Sequence, residues 1–192
     1  MKRQLKAGQY CLKDKQVQKL MDKCLNIRDR LLIELMAFAG LRRGEVATLE
    51  VKDIDFKNNV LHVLGKGDKL RSIPIKPKIA QNLSFWLGNQ KKGYVFQAKR
   101  KDSQYSHIGP DSINDITEAA GIRANIKNPN PKLKSINPHS LRHYYARWLK
   151  SKNVRIETIA ALLGHNDVKT TLNEYGNQSL NEIQEELENI WL

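Results

Sequence analysis

The sequence predicts a mainly α-helical domain that carries one small antiparallel sheet. Three observations lead there. Apolar residues recur with helical periodicity through most of the 192 residues, as in helices that bury one face. Only one stretch, "DFKNNVLHVLGKGDKLRSIPI", changes to short runs rich in β-branched residues and Leu. Gly, Asn and Pro fall between the periodic segments, where helix caps and hairpin turns need them.

The elements follow in order. Leu12, Val17, Leu20, Met21, Cys24 and Leu25 keep helical spacing, which predicts a first helix. Asn26 caps a second that runs to Ala39, with Gly40 supplying the left-handed stop. A short helix is expected from Arg43 to Leu49. Two strands, Val60 to Leu64 and Leu70 to Ile75, flank a Gly-rich hairpin tip, and Asn58-Asn59 turns the chain into the first of them. Helices return at Pro77 to Leu87 and at Asp111 to Ala120, the latter with Asp111 as cap and Gly121 as stop. Between them, Gly88 to Pro110 reads as a loop, basic around "AKRK", and "IKNPNPKLKSINP" reads as another. Four more helices are expected, at about Ser140 to Lys152, Arg155 to Leu163, Val168 to Tyr175 and Ser179 to Trp191.

Charge narrows the function. Lys and Arg exceed Asp and Glu by 13, and the acidic terminal segment 180–192 contributes four glutamates and no base, so the remainder stands at +17. That excess suits a polyanionic partner, because phosphate contacts release counterions. No apolar run approaches the ~20 residues of a membrane-spanning helix. The first fifteen residues are charged and do not read as a secretory signal. Cys11 and Cys24 are spaced neither as a metal knuckle nor as a disulfide framework, which suits a reducing compartment. A cytoplasmic, DNA-associated location is expected. Phosphate-binding glycine fingerprints and His-Glu-x-x-His patterns do not occur. Asp53 and Asp55 in "VKDIDF" offer a carboxylate pair, but no metal site is expected there.

Candidate chemistry begins with "NPHSLRHYYARW". Leu141, Tyr145, Trp148 and Leu149 form an apolar stripe on its helix. His139, Arg142, His143 and Ala146 form a second stripe, beginning in the first turn, whose free N–H groups favour an anion. In "AGLRRGE" a helix stop is followed by Arg42, Arg43 and Glu45; a guanidinium at such a corner can grip phosphate oxygens while a carboxylate orients it. Lys66 sits between glycines at the hairpin tip. In "LLGHNDVKTTLNEY", Gly164 ends a helix, His165 follows at once, and Tyr175 closes the segment.

Taken in order, an arginine corner "GLRRGE", a "GKG" lysine hairpin, "HSLRH", "LLGH" and a tyrosine after "TT" resemble the tyrosine recombinase (phage integrase) family, from about Lys13 to Tyr175. The resemblance implies a mostly α catalytic domain with a three-stranded sheet. It implies that Arg42 and Arg142 clamp the scissile phosphate, that Lys66 and His139 handle protons, and that His165 donates a hydrogen bond. Tyr175 would be the nucleophile and Glu45 a support behind Arg42. Arg43, Lys69, Arg71 and His143 are expected to contact DNA. The reaction implied needs neither metal nor other cofactor, since the 3′-phosphotyrosine bond conserves the energy for rejoining. The expected partners are double-stranded DNA and further copies of the chain, a tetramer on DNA, with no membrane.

Residues 1–12 would then be a basic arm, 13–178 the catalytic domain, and 179–192 a C-terminal helix with Leu180, Ile183, Leu187, Ile190 and Trp191 on one stripe, packing in trans or on its own chain. Family members usually carry a separate N-terminal helical domain, so the chain is either the catalytic half of a longer protein or a naturally minimal one. Asn177 stands where family members often have His. Two other functions fit the same scaffold: a type IB topoisomerase-like nickase and a non-catalytic DNA-binding accessory protein. The intact set of six active-site residues argues against the accessory.

Overall fold

The computed structural model describes residues 11–65, 70–98, 106–164 and 179–191. Lys66, Lys69, His165, Tyr175 and the helix expected at Val168 to Tyr175 lie outside them, as does most of the expected N-terminal arm.

The core is built around one helix. α1 (Asp14–Asp22) is followed by α2 (Ile27–Phe38), on which Leu31, Leu32, Ile33, Leu35, Met36 and Ala37 are all fully buried. A helix apolar on nearly every side has to be surrounded, and α4 (Pro77–Leu87) and α6 (Pro138–Ser151) pack against it. Asn26 caps α2 as expected, its side chain accepting from the Asp29 N–H at 2.9 Å. Glu34, buried on α2, accepts from Arg30 at 2.9 Å and Asn82 at 3.2 Å; a buried carboxylate needs such partners. The first helix stops earlier than its apolar spacing suggested, at Asp22, and Leu25 is exposed.

The sheet has three antiparallel strands in sequential order: β1 (Ile54–Asp55), β2 (Val60–Leu64) and β3 (Leu70–Pro74). β2 and β3 fall where the residue pattern put them, with Leu64 opposite Leu70 at the base of the hairpin tip. β1 is too short to show a period. Its Asp55 carboxylate accepts from the Lys57 and Asn58 N–H groups, both at 3.0 Å, and closes the turn into β2. Asp53 likewise accepts from the Glu50 N–H at 2.9 Å. Both aspartates therefore have backbone-shaping jobs.

Two boundaries need correction. α5 spans Pro110–Arg123, so Asp111 is inside its first turn, and Gly109 is the cap. Gly121 does not stop the helix. A Cβ there would lie 2.2 Å from Ser135 Oγ, so glycine is required for close packing. The turn comes at Asn125, with φ +53°, a residue that tolerates the left-handed region. The segment after Gly88, expected to be a loop, is pinned by backbone: the Val95 N–H donates to Leu49 O at 2.8 Å and the Ile108 N–H to Phe96 O at 2.8 Å. Those anchors bury Val95, Phe96 and Ile108 in the core.

α6 begins at Pro138, with Asn137 capping the Ser140 N–H at 3.0 Å. α7 (Ile156–Leu163) ends at Gly164, which is left-handed at φ +60°. The last helix, α8 (Leu180–Trp191), lies on β3 of its own chain. It buries Ile183 and Leu187, and its Glu186 accepts from Thr158 Oγ1 at 2.8 Å. Among the described residues no helix is long and apolar enough to cross a membrane.

Tyr145 is 1% exposed, and among the described residues its buried hydroxyl has no hydrogen-bond partner, while its ring stacks on Trp148 at 6.4 Å. A buried unsatisfied hydroxyl costs stability, whereas the ring keeps its packing in phenylalanine. Tyr145→Phe should leave the protein as stable or stabilise it by about 1 kcal/mol, measured by urea unfolding. A clear loss of stability would mean that the hydroxyl has a partner.

Candidate active site

The site forms where the C-terminal ends of α2 and α7 meet α3 (Arg43–Ala47), β3 and the start of α6. Helix C-termini leave carbonyl groups unsatisfied and carry partial negative charge. Three arginines collect on them. Arg142, the fifth residue of α6, donates through Nη1 to Gly40 O and through Nη2 to Leu163 O. Arg42 Nη2 reaches Gly164 O at 3.2 Å, and Arg71 Nε reaches Leu162 O at 2.9 Å. Three successive carbonyls thus hold three guanidiniums.

Gly40 is what brings the helices this close. Its φ is +65°, and a Cβ there would meet the Tyr145 ring at 2.5 Å. The turn at Gly40 releases the chain into Leu41, fully buried, and then Arg42, which caps α3. Glu45 accepts from the Arg42 N–H at 2.7 Å and from Arg42 Nη1 at 2.8 Å, fixing the corner at both ends of the residue. It accepts two more bonds from Arg71, Nη1 at 3.0 Å and Nη2 at 2.8 Å. Burial pushes the Glu45 carboxyl up, but the Arg71 fork and the Arg42 bonds outweigh it and hold the group below the usual carboxylate range.

Arg142 is 7% exposed. Burial, then repulsion from Arg42, brings its guanidinium down to about 10, with Glu45 opposing; it remains cationic at neutral pH. The His139 imidazole is lowered from its ordinary value by desolvation first, then by His143, Arg142 and Arg42, so at neutral pH it is an uncharged ring able to accept a proton. His139 and His143 meet edge to face at 4.4 Å. A cleft of about 520 Å³ opens here, lined by Arg42, Arg43, His139 and Arg142, with Asn114 and Glu118 of α5 on its far side.

The polar stripe expected on α6 is therefore split by depth. His139 and His143 are exposed, Ala146 is half-buried, and Arg142 dips beneath them to reach the helix ends. Arg43 stays largely outside, 3.5 Å from Asp111. Arg71, expected among the DNA contacts, is instead turned inward: its side chain is 10% exposed and its fork is engaged by Glu45. Asn114 and Glu118 were not foreseen, since on sequence they are polar positions of an amphipathic helix like any other. Lys66, Lys69, His165 and Tyr175 lie outside the described residues, but their attachments do not. The hairpin bearing Lys66 is rooted in the Leu64–Leu70 pair, and the residue before His165 has its carbonyl on Arg42.

The family model of the phage integrase family matches residues 11–182. A tyrosine recombinase of Pseudothermotoga lettingae is 33% identical over 161 residues, which is 81% of this chain and 52% of that protein. Among solved structures, the integrase of mycobacterium phage Brujita has a TM-score of 0.76 at 21% identity, covering 95% of this chain and 57% of its own. XerH recombinase bound to its difH substrate in a pre-cleavage complex gives 0.66 at 23% identity, covering 95% and 54%. The chain spans about half the length of the curated relatives it matches.

Proposed function

The chain belongs to the phage integrase family, and on that premise we propose that it is a site-specific DNA recombinase, which cleaves and rejoins strands through a covalent 3′-phosphotyrosine without metal or ATP. The observation that carries this reading is the convergence of Arg42, Arg142 and His139 on one open cleft.

The chemistry asks for these groups. A phosphodiester repels nucleophiles, and its transition state gathers negative charge on the non-bridging oxygens. Arg42 and Arg142, already fixed by backbone carbonyls and Glu45, stabilise that charge with little reorganisation. Tyr175 Oη attacks phosphorus and the bond to the 5′ oxygen breaks. His139 takes the phenolic proton, Lys66 supplies one to the departing oxygen, and His165 donates a hydrogen bond to the phosphoryl group. Rejoining reverses each transfer. In this reading residues 1–12 are a basic arm, 13–178 the catalytic domain and 179–192 a helix available to assembly. Arg43, Lys69 and His143 contact the duplex, and the working unit is a tetramer on DNA in the cytoplasm.

A duplex nicked just beyond the scissile phosphate tests the reading, because loss of the short 5′ fragment traps the intermediate. In EDTA the chain should form a denaturant-stable adduct on the 3′ end. No adduct on any duplex tried, or labelling of the 5′ end instead, would overturn the mechanism.

A further inference from the structure

The geometry points to Arg71 as a positioning residue that aims Arg42 through Glu45 and does not touch DNA. The inference rests on the reading above, in which Arg42 binds the scissile phosphate. Glu45 is the side chain that bonds to both arginines, and both of its oxygens are engaged twice. Oε1 accepts from Arg42 Nη1 at 2.8 Å and Arg71 Nη1 at 3.0 Å, while Oε2 accepts from the Arg42 N–H at 2.7 Å and Arg71 Nη2 at 2.8 Å.

What sets the plane of that carboxylate is the Arg71 fork. Two parallel N–H bonds fix both position and tilt, which a single ammonium cannot do. Arg71 is itself immobilised. It stands on β3 opposite Val63, its Nε is tied to Leu162 O at 2.9 Å, and a Cβ on Gly164 would lie 3.3 Å from its Cδ. Its side chain is 10% exposed against 39% for Arg42. The buried arginine is the fixed end of the chain of contacts and the exposed one the working end. Arg71 also leaves the hairpin that carries Lys66 only five residues after that lysine, so one side chain ties the hairpin, the arginine corner and the end of α7 into one frame.

Arg71→Lys keeps the charge and removes the fork. In single-turnover cleavage of the suicide duplex it should slow adduct formation by about 10²-fold, the scale on which a misplaced active-site group acts, with duplex affinity nearly unchanged. Arg42→Lys should be slow for the same reason. The double variant should be no slower than Arg42→Lys alone, because the two changes break one pathway. Losses that multiply in the double variant would reduce Arg71 to a general structural support, and a loss confined to affinity would make it a DNA contact; either overturns the inference. Should Arg71→Lys fail to fold, Glu45→Gln keeps the shape of the carboxylate and must show the same rate loss and the same non-additivity with Arg42→Lys. A wild-type chain that forms no adduct refutes the recombinase reading itself, a result distinct from all of these.

Discussion

Tyr175→Phe is expected to abolish the covalent adduct on the suicide duplex, a fall on the order of 10⁴-fold or more because the covalent route has no substitute for its nucleophile, while duplex binding stays nearly unchanged. The assignment is partly one of elimination among six tyrosines. Tyr144 is 3% exposed and packs edge-on against Phe38 at 6.1 Å. Tyr145 is 1% exposed behind Gly40. Burial raises the pKa of both phenols, so neither can reach a phosphate or ionise easily. Tyr94 lies against His107, 5.0 Å between ring centres, in the segment after α4, whose described residues line no part of the cleft. Tyr10 and Tyr105 stand outside every motif. Only Tyr175 follows "LLGH" and "TT", on a segment that departs from Gly164, whose carbonyl Arg42 already holds. An adduct that persists in Tyr175→Phe, or one that forms only with a divalent metal, would refute the mechanism.

The features legible in the sequence were those set by local chemistry. Asn26 and Asn137 cap helices because an Asn side chain can accept from an N–H three residues on, and that requires no knowledge of the fold. β2 and β3 are legible from their composition and the glycines between them. Gly121 misled because two reasons for a glycine look alike in a sequence: a left-handed turn, and a neighbouring chain too close for a Cβ. Its neighbour Ser135 is fourteen residues away, in what reads as a loop. Val95 and Phe96 were hidden for a related reason. Isolated bridges such as Glu50 to Tyr94 and Gln97 to His107 bury apolar side chains without any period.

At the site, the arginines Arg42 and Arg142 stand out in the sequence by their motifs, but the depth of Arg142 does not. A stripe of polar residues at helical spacing reads as a surface, and what pulls Arg142 inward is a pair of carbonyls at Gly40 and Leu163, far away along the chain. Arg71 is the sharper case. In "KLRSIPI" it is one more basic residue near a basic hairpin, and only the packing of β3 on α7 turns it from a surface charge into the partner of Glu45.

Lys66→Ala is expected to slow cleavage of ordinary DNA by about 10²–10⁴-fold, the usual contribution of a general acid. Expulsion of a 5′ alkoxide from phosphorus is unfavourable, so the leaving oxygen must gain a proton as the bond breaks. In the sequence Lys66 stands between two glycines in the connection from β2 to β3, and Leu64 and Leu70, the paired strand ends on either side of it, are 58% and 66% exposed. The strand ends that flank the tip therefore face solvent. Arg142 is fixed on two backbone carbonyls and is poorly placed to follow a departing oxygen. A duplex with sulfur at the 5′-bridging position separates the two roles that a cation could play. Thiolate leaves without a proton, whereas the phosphoryl charge that needs clamping is the same. Lys66→Ala should recover most of its rate on the sulfur substrate, and Arg42→Lys should not, since it lacks the charge geometry and not the proton. If Lys66→Ala is equally slow on both substrates, Lys66 binds the phosphate and another group protonates the leaving oxygen.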